Sequence, residues 1–264
     1  MTGRADQNPG SEMAPKVLVL TPLKDAERFL DRYVENIEEL DYPQPSLSIG
    51  FLESDSRDQT LDALQRLLPR LHARCRRATV VKKDFGFKLP PGVPRWTPAM
   101  QLQRRGILAK ARNHLLFRAL DDEDFVLWLD VDVISYPRDL IRRLLACGRD
   151  IVHPHCVLAP GGPTFDRNGW CDHGRKLLGD FRGAQDLVAL DAVGASVLLV
   201  CADRHRDGLI FPPFPYGRAN AAMRPAHPLW GCGEVESEGF GLLARDMGCQ
   251  CWGLPDVEVV HAPE

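Results

Sequence analysis

The chain has 264 residues, 44% of them hydrophobic and 26% charged, with 36 acidic against 33 basic side chains and a formal net charge of -3. That length suits one large α/β domain with a substantial core, and the lack of a basic excess argues against nucleic acid as a partner. No apolar run approaches the ~20 residues needed to cross a bilayer, and no secretory leader stands out. The chain therefore reads as cytoplasmic or otherwise soluble, with the Golgi lumen open only to a form trimmed from an anchored precursor.

Residues 1–15 are polar and read as a disordered tail, leaving 16–264 as a single domain. The aliphatic run KVLVLT (16–21) has the character of a buried parallel strand. A helix follows, with Asp25 as its expected cap and Phe29, Leu30, Tyr33, Val34, Ile37 and Leu40 at helical spacing. LSIGFL (47–52) is the second strand. A second helix starts near Asp58 or Gln59, and Pro69 is expected to kink or divide it.

ATVVK (78–82) is the third strand. A Pro/Gly-rich loop leads from it to a long helix over about 98–120. FVLWL (125–129) is the most apolar strand of this half, and a helix near 137–146 precedes a fifth strand, DIVHP. The alternation predicts an α/β fold, with a mostly parallel sheet and helices on both faces. Residues 155–190 show little periodicity. A strand at 193–200, a proline-rich loop at 211–233, a helix near 234–247 and a strand pair near 250–260 complete the chain. A loop as long as 211–233 is usually functional, and its 217–233 part reads as a candidate lid. The eight cysteines form no CxxC pair and read as free thiols.

The chemistry concentrates at Asp130-Val131-Asp132, two carboxylates at the end of the most apolar strand. Ligands of open α/β sheets bind at the carboxyl ends of strands. Strict alternation would bury one of these acids, which is costly, so an irregular strand end and a hard cation such as Mn²⁺ or Mg²⁺ are expected there. The alternative is a pair of surface acids at a turn. The loops after the first two strands, TPLK (21–24) and ESDS (53–56), share that rim. Neither a GxGxxG nor a Walker A motif is present. Arg105 and Arg112 fall two helical turns apart on one face. Glu234, Glu236 and Glu238 cluster where the last helix begins, where acids are favoured by the dipole.

In order along the chain, the stretches VLVLTPLKDAERFLDRYVENIEELDYP, IGFLESDSRDQT, VVKKDFGF, RRGILAKARNHLL, VLWLDVDVISYP, FDRNGW, VGASVLLVCADRHRDGLIFPPFPYG and ESEGFGLLARDMG…WGLPDVEVVHAPE resemble the Anp1/Mnn9/Van1 family of fungal mannan-building mannosyltransferases. The resemblance implies a GT-A fold with a small mixed acceptor-side region. It also implies a GDP-mannose donor, Mn²⁺ (or Mg²⁺), and retention at the anomeric carbon. It places Asp130, Asp132 and His261 at the metal and Thr21, Pro22 and Asp55 at the nucleotide. Arg105, Arg112 and Asn113 fall near the donor, Glu236 and Glu238 beside its sugar, and Asn168 and Trp170 toward the acceptor. Glu238 is the first choice for a catalytic or sugar-orienting acid. The acceptor is expected to be a glycan or small-molecule hydroxyl, and the protein to form homo- or hetero-oligomers. A UDP-sugar or GDP-glucose donor, or a non-catalytic subunit of a transferase complex, are the rival expectations.

Overall fold

The computed structural model describes residues 14–90, 92–94, 97–217 and 233–263. The expected tail at 1–13 and most of the candidate lid lie outside the described residues. Ala14 and Pro15, assigned to the tail, are tied down instead. The Ser46 hydroxyl donates to Ala14 O, and the Tyr42 hydroxyl to Pro15 O at 2.6 Å.

The first half follows the hydrophobic periodicity. Strands β1 (Val17–Leu23), β2 (Leu47–Glu53) and β3 (Arg77–Lys82) alternate with helices α1 (Glu27–Glu38), α2 (Thr60–Arg74) and α3 (Pro98–Ala119), and β4 (Phe125–Leu129) closes the run. β3, β2, β1 and β4 lie side by side and pair in parallel. Successive residues of each strand face opposite layers. Val17, Val19, Leu127 and Leu129 pack with α1 and α2, whereas Leu18, Leu20, Val126 and Trp128 pack with α3. Both faces are thus covered by helices, as a buried parallel sheet requires.

Beyond β4 the sheet becomes mixed. Next come β5 (Val133–Ser135), α4 (Leu140–Ala146), β6 (Ile151–Val157), the small hairpin β7 (Trp170–Cys171) and β8 (Lys176–Leu177), then β9 (Val188–Leu190), β10 (Val197–Cys201) and α5 (Ala202–Arg206). The last elements are α6 (Glu236–Asp246) and β11 (Cys251–His261). β10 inserts between β4 and β6, antiparallel to both, and β11 runs parallel to β6.

Four local expectations are corrected. Asp25 does not cap α1. It sits at φ 50 and accepts from Arg57 N, while Asp58 and Thr60 cap the helix by accepting from the amides of Glu27 and Ala26. Pro69 does not divide α2, because it lies on the exposed side of the helix, where water can satisfy the carbonyl it leaves unpaired. The final strand pair is a single strand, β11, whose register shifts between Leu254 and Glu258 around Pro255. The weakly periodic 155–190 stretch carries the short strands β7 to β9, too brief to show a period.

Candidate active site

β4 ends at Leu129, and the chain turns at once. The Val133 amide donates to Asp130 O, so Asp130-Val131-Asp132 forms the tight connection into β5. This is the irregular strand end that the acid pair called for. β5 pairs with the end of β11, placing His261 opposite Val133, and the Ala262 amide donates to Asp132 O at 2.8 Å. That pairing brings the chain's last histidine to the acid pair. His261 Nε2 is 3.1 Å from Asp132 Oδ1, Nδ1 is 2.6 Å from Ala262 O, and the ring stacks on Phe165 with centroids 3.7 Å apart. Both ring nitrogens face acceptors. Burial opposes a charge there, but the bond to Asp132 and its charge outweigh it, so the His261 pKa is raised.

α3 reaches the same place from the other face of the sheet. Arg112 is 1% exposed and donates from Nη2 to Asp130 Oδ1 at 2.9 Å and to Ala195 O at 3.2 Å. Its Nε lies 2.9 Å from Glu236 Oε1, an ion pair without the alignment of a hydrogen bond. One turn pair earlier, Arg105 binds Glu238 Oε2 at 2.9 Å and Val235 O at 2.8 Å. The Trp170 indole donates to the other oxygen of Glu238 at 2.7 Å. Glu236 opens α6 at φ 55, a conformation costly for a non-glycine residue. Burial pushes the Asp130 carboxyl up to about 7 against the pull of Arg112, and Asp132 and Glu236 push it the same way.

Two clefts meet at these residues. One, of about 440 Å³, is largely apolar, with Pro22, Phe29, Leu52, Phe87, Ile107 and Val131 in its wall. The other, of about 420 Å³, is polar and includes Arg105, Arg112, Asp130, Asp166, Asn168 and Glu236. Asp132 and His261 belong to both.

The expected site residues therefore divide into two groups. Pro22, Arg105, Arg112, Asp130, Asp132, Asn168, Glu236 and His261 face a cleft. Thr21, Asp55, Asn113, Trp170 and Glu238 stand behind its surface. Thr21 Oγ1 is bonded to the Tyr33 hydroxyl and donates to Leu129 O, bracing β1 against β4. Asn113 exchanges two bonds with the Phe211 backbone. Asp55 is held by the amides of Phe85 and Gly86. Among the described residues, no three His, Cys, Asp or Glu side chains converge as a ligand cage.

Asp166 was not singled out from the sequence. It is 8% exposed, lines the polar cleft and accepts from the Ser196 hydroxyl at 2.9 Å. Its signal was the acid within FDRNGW, in a stretch without periodicity to orient it.

A model of the Anp1 family matches residues 2–178. The mannan polymerase complex subunit mnn9 of Schizosaccharomyces pombe is 30% identical over 94% of this chain and 80% of its own length. The mannan polymerase II complex ANP1 subunit of Saccharomyces cerevisiae is 24% identical over 97% of this chain and 56% of its own. Among solved structures, a Pyrobaculum calidifontis mannosyltransferase in complex with GDP-Man and Mn²⁺ superposes with a TM-score of 0.57 at 18% identity, over 96% of this chain and 60% of that one. S. aureus TarS with UDP-GlcNAc gives 0.55 at 12% identity, over 94% and 59%. Likeness at these identities shows the fold, which is the GT-A glycosyltransferase fold.

Proposed function

We propose that this chain, which belongs to the Anp1 family, is a metal-dependent retaining glycosyltransferase that moves mannose from GDP-mannose to a hydroxyl of a glycan or smaller acceptor. The observation that carries this reading is the Asp130–Asp132 turn, set at the wall shared by an apolar and a polar cleft. The apolar cleft suits a nucleoside, and the polar one a diphosphate, a sugar and an acceptor hydroxyl. The names of the relatives and the GDP-Man and Mn²⁺ in the Pyrobaculum complex support the choice of donor and cation.

The donor set fits a hard cation. Asp130 and Asp132 present carboxylate oxygens to the polar cleft, and burial pushes the Asp130 carboxyl up to about 7 against the pull of Arg112. Oxygen ligands with one imidazole suit Mn²⁺. Asp130 and Asp132 would hold the ion. His261 would join them by giving up its Nε2 proton, or orient Asp132 from behind. The ion supplies charge neutralisation for the departing diphosphate.

The protein's own groups do the rest. Arg105 and Arg112 are fixed cations beside the polar cleft, preorganised by their acid partners to face negative charge as it develops. Glu236 presents its carboxylate to the cleft. Glu238 has one oxygen on Arg105 and the other on Trp170, which suits an acid that fixes its neighbours. Retention proceeds either by attack from the leaving-group face or through a carboxylate, and the cleft position favours Glu236 over Glu238 for the second route.

The test is transfer from GDP-mannose to a mannose oligosaccharide with Mn²⁺, following GDP release and glycan length. Wild type should extend the acceptor, and Asp132→Ala should lose on the order of 100-fold in rate. Turnover of a UDP-sugar instead would overturn the donor. GDP binding without turnover of any donor would favour a non-catalytic subunit, a reading kept because the relatives are named as subunits of complexes.

A further inference from the structure

Asp55 follows β2 on the rim of the apolar cleft, yet its carboxylate does not line that cleft. Oδ2 accepts from the Phe85 amide at 2.9 Å and from the Ser54 hydroxyl at 3.0 Å, and Oδ1 accepts from the Gly86 amide at 3.1 Å. The bonding is reciprocal, since the Asp55 amide donates to Asp84 Oδ1 at 2.7 Å. Lys24, which does line the cleft, spans the same junction, donating to Asp55 O at 2.7 Å and Phe87 O at 3.4 Å. Asp55 adopts φ 54 and Gly86 φ 72, so both chains bend sharply where they meet. Residues 84–90 contain no helix or strand, so these bonds replace the ladder that would otherwise fix the segment. Beyond the clamp, Phe87 is 7% exposed and forms part of the cleft wall.

We propose that Asp55 is a positioning residue that acts on the donor through Phe87: its carboxylate clamps residues 84–87 to the rim so that the Phe87 ring forms a wall for the nucleoside. This rests on reading the apolar cleft as the nucleotide side. Both carboxylate oxygens accept backbone amides of this segment, and the side chain is turned toward residues 84–87 rather than into the cleft. Loss of the clamp frees the segment, and the wall is lost with it.

Hydrogen exchange and calorimetry on the full chain test the proposal. Asp55→Ala should speed exchange at the Phe85 and Gly86 amides at least tenfold, with Asp55→Asn between it and wild type, because one acceptor oxygen survives. Either variant suffices if the other fails to fold. Titrated with GDP and with UDP in Mn²⁺, Asp55→Ala and Phe87→Ala should each weaken binding of the preferred nucleotide about tenfold, and the double variant should be no weaker than Phe87→Ala alone. Additive losses would mean that Asp55 touches the nucleotide itself and would overturn the proposal, as would unchanged exchange at both amides. If wild type binds neither nucleotide, the nucleotide reading of the cleft fails and takes the donor role of Asp55 with it. The exchange result still decides whether the clamp exists.

Discussion

Arg112 and Asp130 meet at 2.9 Å just beyond the carboxyl end of β4, one from α3 and one from the turn that follows that strand. The guanidinium is almost fully buried and also stands over the rings of Trp128 and Phe211, 5.5 and 5.3 Å from their centroids. It is the cation that lets Asp130 and Glu236 share a water-poor corner.

Replacing Arg112 by Met would keep the bulk and remove the charge. The partly exposed Asp130 would then lose its guanidinium partner, and the buried Glu236 would be left with Arg105 at 4.0 Å. Breaking a buried pair by removing one partner costs about 3–5 kcal/mol, so urea unfolding should show a loss of that order. Arg112→Lys should recover part of the stability but little of the rate, because a point charge cannot serve Asp130, Glu236 and Ala195 O together.

Glu236 and Glu238 should separate in kinetics. Glu238→Gln disturbs a buried pair with Arg105 and should lower Tm while raising donor KM. Glu236→Gln removes a carboxylate that faces the cleft and should lower kcat on the order of 100-fold with little change in donor KM, and Tm should fall as well because Glu236 pairs with buried Arg112. Steady-state kinetics distinguishes them, and the reverse pattern would return the chemical role to Glu238.

His205 should set part of the acid limb of stability. It is 3% exposed; its Nε2 accepts from the Trp128 indole at 3.3 Å, and its Nδ1 donates to Leu209 O at 2.6 Å. Burial pushes its pKa down to about 4, against the bond to Leu209. An unfolded histidine charges below about 6.5. Between those values the unfolded chain binds more protons, so stability falls as pH drops through the window and levels off below the folded value. The loss amounts to about 3 kcal/mol. His155, lowered by burial and by Arg182, acts in the same direction. Denaturant midpoints from pH 7 to 4 should show a shallower decline in His205→Gln.

Gly241 should resist substitution. A Cβ there would lie 2.6 Å from Ala192 Cα and 3.0 Å from Asp191 O, both backbone atoms. Gly241→Ala should cost about 2 kcal/mol by overpacking. Since α6 carries Glu236, a fall in kcat should accompany the lower urea midpoint.

The first half of the fold was legible because its strands are buried on both sides and its helices carry a clean apolar stripe. The acid pair stands out in the sequence because carboxylates directly after FVLWL interrupt that burial, and the structure places them in the turn between β4 and β5. His261 was tied to Asp132 only through the family resemblance, since the β5–β11 pairing that joins them spans most of the chain's second half. The insertion of β10 between β4 and β6 is likewise a long-range fact that periodicity does not encode. The α1 cap escaped for a similar reason: Asp58 and Thr60, about thirty residues on, serve in place of the adjacent Asp25. Thr21 and Asp55 were expected to line the nucleotide pocket and Asn113 to sit near the donor; their observed bonds instead run to the backbone of Leu129, of Phe85 and Gly86, and of Phe211, long-range partners that periodicity does not encode.

The most direct test of the central claim is calorimetric titration of the purified protein with GDP and UDP, each with Mn²⁺ and with EDTA. The acid turn predicts that GDP binds with Mn²⁺ and that EDTA or Asp132→Ala abolishes the heat. GDP binding that survives EDTA and Asp132→Ala unchanged would contradict a metal held at Asp130 and Asp132.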